Sequence, residues 1–299
     1  MRILITGASG LVGAALAAAL RAEGHSVGAF ARPPKTAGRD DVAWNPETGE
    51  MDLNAAEGAD AVVNLAGASI GEGRWTAKRK ALLRSSRVNL TEKLVRNLKR
   101  LKIKPQVFVS ASAIGFYGDR GDEPLTETSA SGKDFLAGLS RDWEAAATQA
   151  ETAGIRTVIV RFGIILSMRG GALPRMVTPI KMGLGGKLGT GKQWMSWVTL
   201  EDTVSAIRHA IVTPSLLGPV NVVSPNPARN ADFTRALARV LRRPALFPAP
   251  AFILRPLLGE MADALLFSSQ RVAPKKLADA NFLFRYAELD GALRHALGR

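Results

Sequence analysis

The chain has no cysteine, which excludes disulfides, thiolate nucleophiles and cysteine-ligated zinc together. Its three histidines, His25, His209 and His295, show no ligand spacing and read as surface residues, so no metal centre is expected. Tyrosine is nearly missing. Tyr117 and Tyr286 are the two, and four positions after them stand Gly121 and Asp290, so the sequence holds no Tyr-x-x-x-Lys. Long apolar runs are missing as well. Residues 3–20 carry no charge and follow Arg2, as in a signal peptide or a membrane span. Thr6, Ser9 and three glycines break that run into a strand, a turn and an alanine-rich helix. The expected setting is cytoplasmic, with no membrane partner.

What is present fits one large domain or two unequal ones: 299 residues, 46% hydrophobic and 22% charged. A net charge of +14 raises the question of nucleic acid. The densest basic stretch runs from Lys78 to Lys102, where Leu82, Leu83, Val88, Leu94, Val95 and Leu98 supply a core side. No aromatic residue interleaves with those charges, as stacking on bases would require, and no nucleic-acid partner is expected.

Apolar runs at 2–6, 25–32, 60–67, 106–112 and 156–166 read as strands, with helical segments between them, the first at 11–23. This alternation predicts an α/β fold, a Rossmann-type doubly wound parallel sheet. From residue 225 prolines accumulate and the rhythm stops, which predicts a small, mostly helical C-terminal subdomain ending in Glu288–Leu297. The expected division is a dinucleotide-binding domain of residues 1–163 and 197–224. A substrate-side loop and subdomain, 164–196 and 225–299, make up the rest. The Gly-rich run at 183–193 reads as a mobile or ligand-covering loop, and Thr199 with Asp202 as a helix-capping pair.

The turn after the first strand carries Gly7, Gly10 and Gly13. Gly7 permits the tight turn, Gly10 lets backbone approach a pyrophosphate, and Gly13 lets the helix pack closely. The helix N-terminus adds N–H donors and a positive dipole. NAD sites place an acid at the end of the second strand to hold the ribose 2′-hydroxyl. Here that strand ends in Arg32, whose charge suits a 2′-phosphate, with Lys35 and Arg39 as possible helpers. NADP(H) is the expected cofactor.

GxxGxxG at 7–13, Asn64-Leu65-Ala66-Gly67, Asn89 and Ser110-Ala111-Ser112 stand in an order that resembles the extended short-chain dehydrogenase/reductase superfamily. Further motifs narrow the likeness. They include Trp44-Asn45-Pro46, Arg74-Trp75-Thr76, Ser86-Arg87, Phe116-Tyr117-Gly118, Trp143-Glu144, Arg161-Phe162-Gly163 and the tail from Gly259 to Leu277. With these the whole chain is similar to the sugar-nucleotide-epimerase-like "epimerase family", which has its own C-terminal domain. The resemblance implies cofactor contacts from Gly7, Ser9, Gly10, Leu11, Gly13, Arg32, Leu65, Ala66, Gly67, Asn89, Arg161 and Gly163.

It also implies catalysis with Ser112 holding the substrate oxygen and a Tyr-x-x-x-Lys pair moving the proton. The lysine is needed because a phenol with a pKa of about 10 is a poor acid–base group at neutral pH. Counted back from Glu144, the pair's positions hold Leu136 and Ser140. Tyr117 is the first substitute, with Glu127, Lys133 and Arg161 behind it. Arg74, Trp75, Lys187, Gln193 and Trp194 are the expected substrate-side residues. Two functions follow. One is an NADP(H)-dependent oxidoreductase or epimerase acting on a small carbonyl, hydroxyl or nucleotide-sugar-like molecule, as a monomer or homodimer. The other is a non-catalytic NADP(H) redox sensor or regulatory binding protein.

Overall fold

Arg2–Thr6 forms β1, in which Ile3, Leu4 and Ile5 are wholly buried, and Leu11–Ala22 follows as α1. A strand apolar on both faces belongs inside a parallel sheet covered by helices on either side. The chain continues through β2 (Ser26–Ala31), β3 (Val42–Ala43), α2 (Leu53–Ala56) and β4 (Ala61–Asn64). Next come α3 (Ala77–Arg84), a π-helical turn at Ser85–Asn89, α4 (Leu90–Arg100) and β5 (Val107–Ala113). A 3-10 turn at Ile114–Tyr117, β6 (Pro124–Leu125), α5 (Phe135–Thr148) and β7 (Arg156–Phe162) complete the first half. The structure, a computed structural model, describes residues 1–32, 38 and 40–299; Lys35 and Arg39 lie outside the described residues.

The second half holds β8 (Ile164–Leu166), α6 (Leu173–Lys181), β9 (Trp194–Met195), β10 (Trp197–Thr199) and α7 (Leu200–Val212). It continues with β11 (Gly218–Val222), β12 (Ala228–Arg229), α8 (Asn230–Leu241), α9 (Ala251–Leu258) and α10 (Glu260–Ala262). Last are β13 (Arg271–Val272), α11 (Lys275–Asp279) and α12 (Leu289–Ala296). Thr199 caps α7 as its spacing predicts, accepting from Asp202 N at 3.0 Å.

The central sheet has seven parallel strands in the order β11-β7-β5-β4-β1-β2-β3. One face packs on α1 and α7 through Leu16, Leu20, Val204 and Ile207. The other packs on α4 through Leu94, Val95 and Leu98. The chain leaves β1 toward β2 and later returns to β4 on the other side. The crevice at such a reversal, beyond the strands' carboxyl ends, is where open sheets bind ligands.

The expected strand at 156–166 is two strands. Gly163 ends the first because a Cβ there would lie 2.5 Å from Ser196 O, and Ile164–Leu166 turns away to pair with β10. β3 and β11, outside the five strands expected, complete the edges. A separate core joins α6, α8 and α12 around Leu173, Phe233, Leu237 and Leu293. The C-terminal segment meets the loops beyond β4 and β5: Met261 packs with Trp75, Leu136 and Trp143, and β13 pairs with β6. It therefore covers the carboxyl end of the sheet.

Candidate functional site

β1 ends in Thr6, and the chain turns through Gly7 at φ +67°. A Cβ on Gly7 would stand 2.8 Å from Leu65 O, and one on Gly13 would stand 2.2 Å from Gly7 O. Only glycine lets β1, the β4 loop and α1 meet this closely. Gly10 is the N-cap of α1 and supplies no side-chain cap, and the first turn contains no acid. A Cβ on Gly10 would meet only Gly7 O, at 3.2 Å, so the space before the helix is open. Uncapped N–H groups, a positive helix end and an open approach suit a pyrophosphate. Gly171 passes over this turn, its Cβ position 3.6 Å from a Leu11 methyl. Ser9 and Gly10 are exposed, and Leu11 is half-buried.

Arg32 stands exposed at the end of β2, with no ion-pair partner among the described residues. Across the crevice, Thr6 Oγ1 donates to Asn64 Oδ1 at 2.7 Å and accepts from Leu65 N and Ala66 N at 3.1 and 3.2 Å. This pins the loop that carries Gly67. Asn64 Nδ2 also reaches Thr91 Oγ1 and Ser110 Oγ, at 2.9 and 3.2 Å, so the buried amide is well partnered.

Arg87 lies beneath that loop, where sequence reading assigned no role. Its guanidinium would lie 3.2 Å from a Cβ on Gly67, donates to Ala68 O at 3.0 Å and covers the Trp143 ring. No carboxylate pairs with it among the described residues. Burial, then repulsion from Arg79, pushes its pKa down to about 10. Asn89, the expected contact on this helix, instead ends the π-helical turn exposed, and the buried neighbour is Thr91. The turn rotates the helix face, and a plain 3.6-residue period cannot show that.

On α5, Leu136 and Ser140 are buried, and Leu136 packs among Trp75, Leu139 and Met261. Beside them runs a polar chain spanning β5, α5, β7 and β11. Ser112 Oγ donates to Glu144 Oε1 at 2.6 Å. Arg161 grips the same carboxylate twice, Nε to Oε1 at 2.8 Å and Nη2 to Oε2 at 2.7 Å. Arg161 Nη1 donates to Tyr117 Oη at 2.9 Å, and Tyr117 Oη donates to Asn221 Oδ1 at 2.7 Å. The Arg161 guanidinium carbon sits over the Phe116 ring, 3.5 Å from its centroid. Glu127 closes the chain, accepting from the backbone N–H groups of Asn221 and Lys276, both at 3.1 Å.

Two expected roles do not survive this geometry. Tyr117 is wholly buried with its oxygen shared between Arg161 and Asn221, and burial raises its pKa against the pull of Arg161. It cannot present a proton to the crevice. Arg161 is 2% exposed; burial alone would lower its pKa, but Glu144 holds it above the ordinary value. Its charge is spent on Glu144, not on a cofactor. Lys133 is exposed before α5, and Glu127 faces the C-terminal segment.

The substrate-side residues divide. Arg74 and Lys187 are exposed. Trp75 is a core residue, its Nε1 donating to Ile70 O at 3.0 Å and its ring 5.3 Å from Phe135. Gln193 is buried and ties Leu188 O to Leu266 O. Trp194 lies between Arg229 and Arg271 and donates to Asp122 at 2.8 Å. Gln193 and Trp194 therefore fasten the loop to the C-terminal segment.

Residues 3–243 match the model of the NAD dependent epimerase/dehydratase family. The chain belongs to that family. Residues 249–296 of this epimerase-family protein match a domain of unknown function, DUF1731. It is 41% identical to an epimerase family protein of Mycobacterium leprae, over 99% of this chain and 96% of the relative. It is 40% identical to the epimerase family protein YfhF of Bacillus subtilis, over 98% and 97%. A crystal structure of the human epimerase family protein SDR39U1, isoform 2, with NADPH superimposes with a TM-score of 0.92. That pair is 29% identical and covers all of both chains.

Proposed function

We propose that this epimerase-family protein is an NADP(H)-dependent oxidoreductase or epimerase of the short-chain dehydrogenase/reductase type, acting on a small molecule that bears a hydroxyl or carbonyl. The observation that carries the reading is the uncapped, acid-free N-terminus of α1 behind Gly7, Gly10 and Gly13, together with the exposed Arg32 at the end of β2. The backbone N–H groups of the first turn of α1 hold the pyrophosphate, and Arg32 holds the 2′-phosphate. Gly67 gives the dinucleotide a close floor, and the Arg87 cation below it adds positive potential. The NADPH bound by the human relative supports the choice between the two nicotinamide cofactors. When bound, NADP(H) supplies or accepts the hydride.

Ser112, 2% exposed at the end of β5, is the serine that the family resemblance sets against the substrate oxygen. Its hydrogen is committed to the Glu144 carboxylate, which Arg161 also grips, so toward a ligand Ser112 offers oxygen lone pairs. It therefore seats a donor, a hydroxyl rather than a carbonyl oxygen. No tyrosine or lysine stands on α5 to move the proton. The test is absorbance of the nicotinamide while the purified protein meets a panel of alcohols with NADP⁺ and of carbonyls with NADPH. Turnover of any member that falls with Ser112→Ala supports the enzyme.

The enclosure of Tyr117 favours a second reading, a non-catalytic NADP(H) sensor. Tight NADPH binding with no turnover across the panel would put that reading first.

A further inference from the structure

α9 buries none of its residues, although it is one of the most apolar helices in the chain. Phe252, Ile253 and Leu257 project from it, between 55% and 75% exposed. The chain before α9 runs along the Gly-rich loop: Phe247 N donates to Gly185 O, and Ala249 N to Lys187 O. That places Leu246 and Phe247, 75% and 59% exposed, beside the loop bearing Met182 and Leu184, each 64% exposed. The backbone bonds hold the two segments side by side, with exposed apolar side chains along both, and grouped exposed apolar side chains mark an interaction surface.

Residues 181–187 and 242–258, which build this surface, contain five cations and no acid. Lys181, Lys187, Arg242 and Arg243 are exposed and have no ion-pair partner among the described residues, whereas Arg255 pairs with Asp263. The charge decides between occupants. A second copy meeting this patch about a two-fold axis would set the same cations against themselves. A protein partner is the competing occupant, and it would leave lipid vesicles unbound. An anionic bilayer meets both features, taking apolar side chains into its interface and cations against its headgroups.

We propose that this surface docks the protein on the face of an anionic lipid bilayer, with Phe252, Ile253, Leu246 and Phe247 entering the interface and Lys181, Arg242 and Arg243 against the headgroups. The sequence expectation of no membrane partner rested on the lack of a spanning segment, and surface docking needs none. Among the described residues no helix is long and apolar enough to cross a membrane. The proposal stands apart from the reading of the dinucleotide site.

The test is flotation of the full chain with vesicles of phosphatidylcholine alone and of phosphatidylcholine with phosphatidylglycerol. Binding to the anionic vesicles should exceed binding to the neutral ones by about tenfold or more and weaken with salt. The double variant Phe252→Ser, Ile253→Ser should lose about tenfold on the anionic vesicles. Its NADPH affinity and melting temperature should match the parent, showing that it is folded. No binding to anionic vesicles at low salt overturns the proposal. So does binding that the double variant leaves intact, which would be simple adsorption of a basic protein. Sedimentation showing a dimer that the double variant abolishes would assign the surface to a second copy instead, and equally overturns it.

Discussion

Ser112 and Arg161 face each other across the β5–β7 register and share one carboxylate, that of Glu144. A buried ion pair of this kind costs much to desolvate, and breaking it from one side is worse than never building it. Glu144→Gln should therefore destabilise the fold by about 3–5 kcal/mol, because it strands a buried guanidinium. The double variant Glu144→Leu, Arg161→Met should lose less than the Glu144 single variant. Urea unfolding of the parent and the variants measures this, and additive losses in the double variant would count against the account.

Tyr117 carries a pH dependence of known sign. Its folded pKa is raised above the ordinary 10.0 by burial, so the folded protein keeps the phenolic proton that an unfolded chain begins to release there. The linked stability is complete below pH 10.0 and is lost as pH rises through the folded pKa. Tyr117→Phe should cost about 1–3 kcal/mol near neutrality, leaving Asn221 Oδ1 and Arg161 Nη1 short of a partner. It should also flatten the alkaline limb of a stability–pH profile. NADPH affinity should not change, since the hydroxyl does not reach the crevice. A loss of affinity would return Tyr117 to the cofactor site.

The glycine turn, the positions of the main strands along the chain and the Thr199 cap are legible in the sequence because each is local. Gly7, Gly10 and Gly13 sit within one turn, and buried strands such as β1 are runs of apolar residues. What escapes is long-range. Tyr117 and Asn221 are 104 positions apart, and nothing in their spacing says that they share a hydrogen bond. Trp75 and Gln193 look like ligand contacts because aromatic and amide groups in Gly-rich loops often are. Here their polar atoms are consumed by Ile70 O, Leu188 O and Leu266 O. Arg87 was legible only as a motif residue, because its lack of a carboxylate partner among the described residues depends on what surrounds it.

Arg32 supplies a prediction about cofactor choice. A charge-assisted contact to a 2′-phosphate corresponds to roughly 10- to 150-fold in affinity. Calorimetry should show NADPH binding more tightly than NADH by a factor in that range, and Arg32→Ala should remove most of the difference. Equal affinities for the two in the parent protein would exclude the assignment.

The last prediction concerns what Ser112 can hold. Because its hydrogen points at Glu144, it accepts and does not donate, so the NADP⁺ complex should prefer an alcohol over the matching ketone. One hydrogen bond of ordinary strength corresponds to about 2- to 10-fold in affinity. Ser112→Ala should erase that preference while leaving NADPH affinity unchanged, since the proposed cofactor contacts, the first turn of α1 and Arg32, do not involve Ser112. The stability loss should stay at about 1 kcal/mol, because Arg161 still satisfies Glu144. Titrating NADP⁺-loaded protein with an alcohol and its ketone, before and after the substitution, measures the preference directly. A ketone bound more tightly than the alcohol would show that Ser112 turns its hydrogen outward when a ligand arrives, and that Glu144 then stands ready as an acceptor.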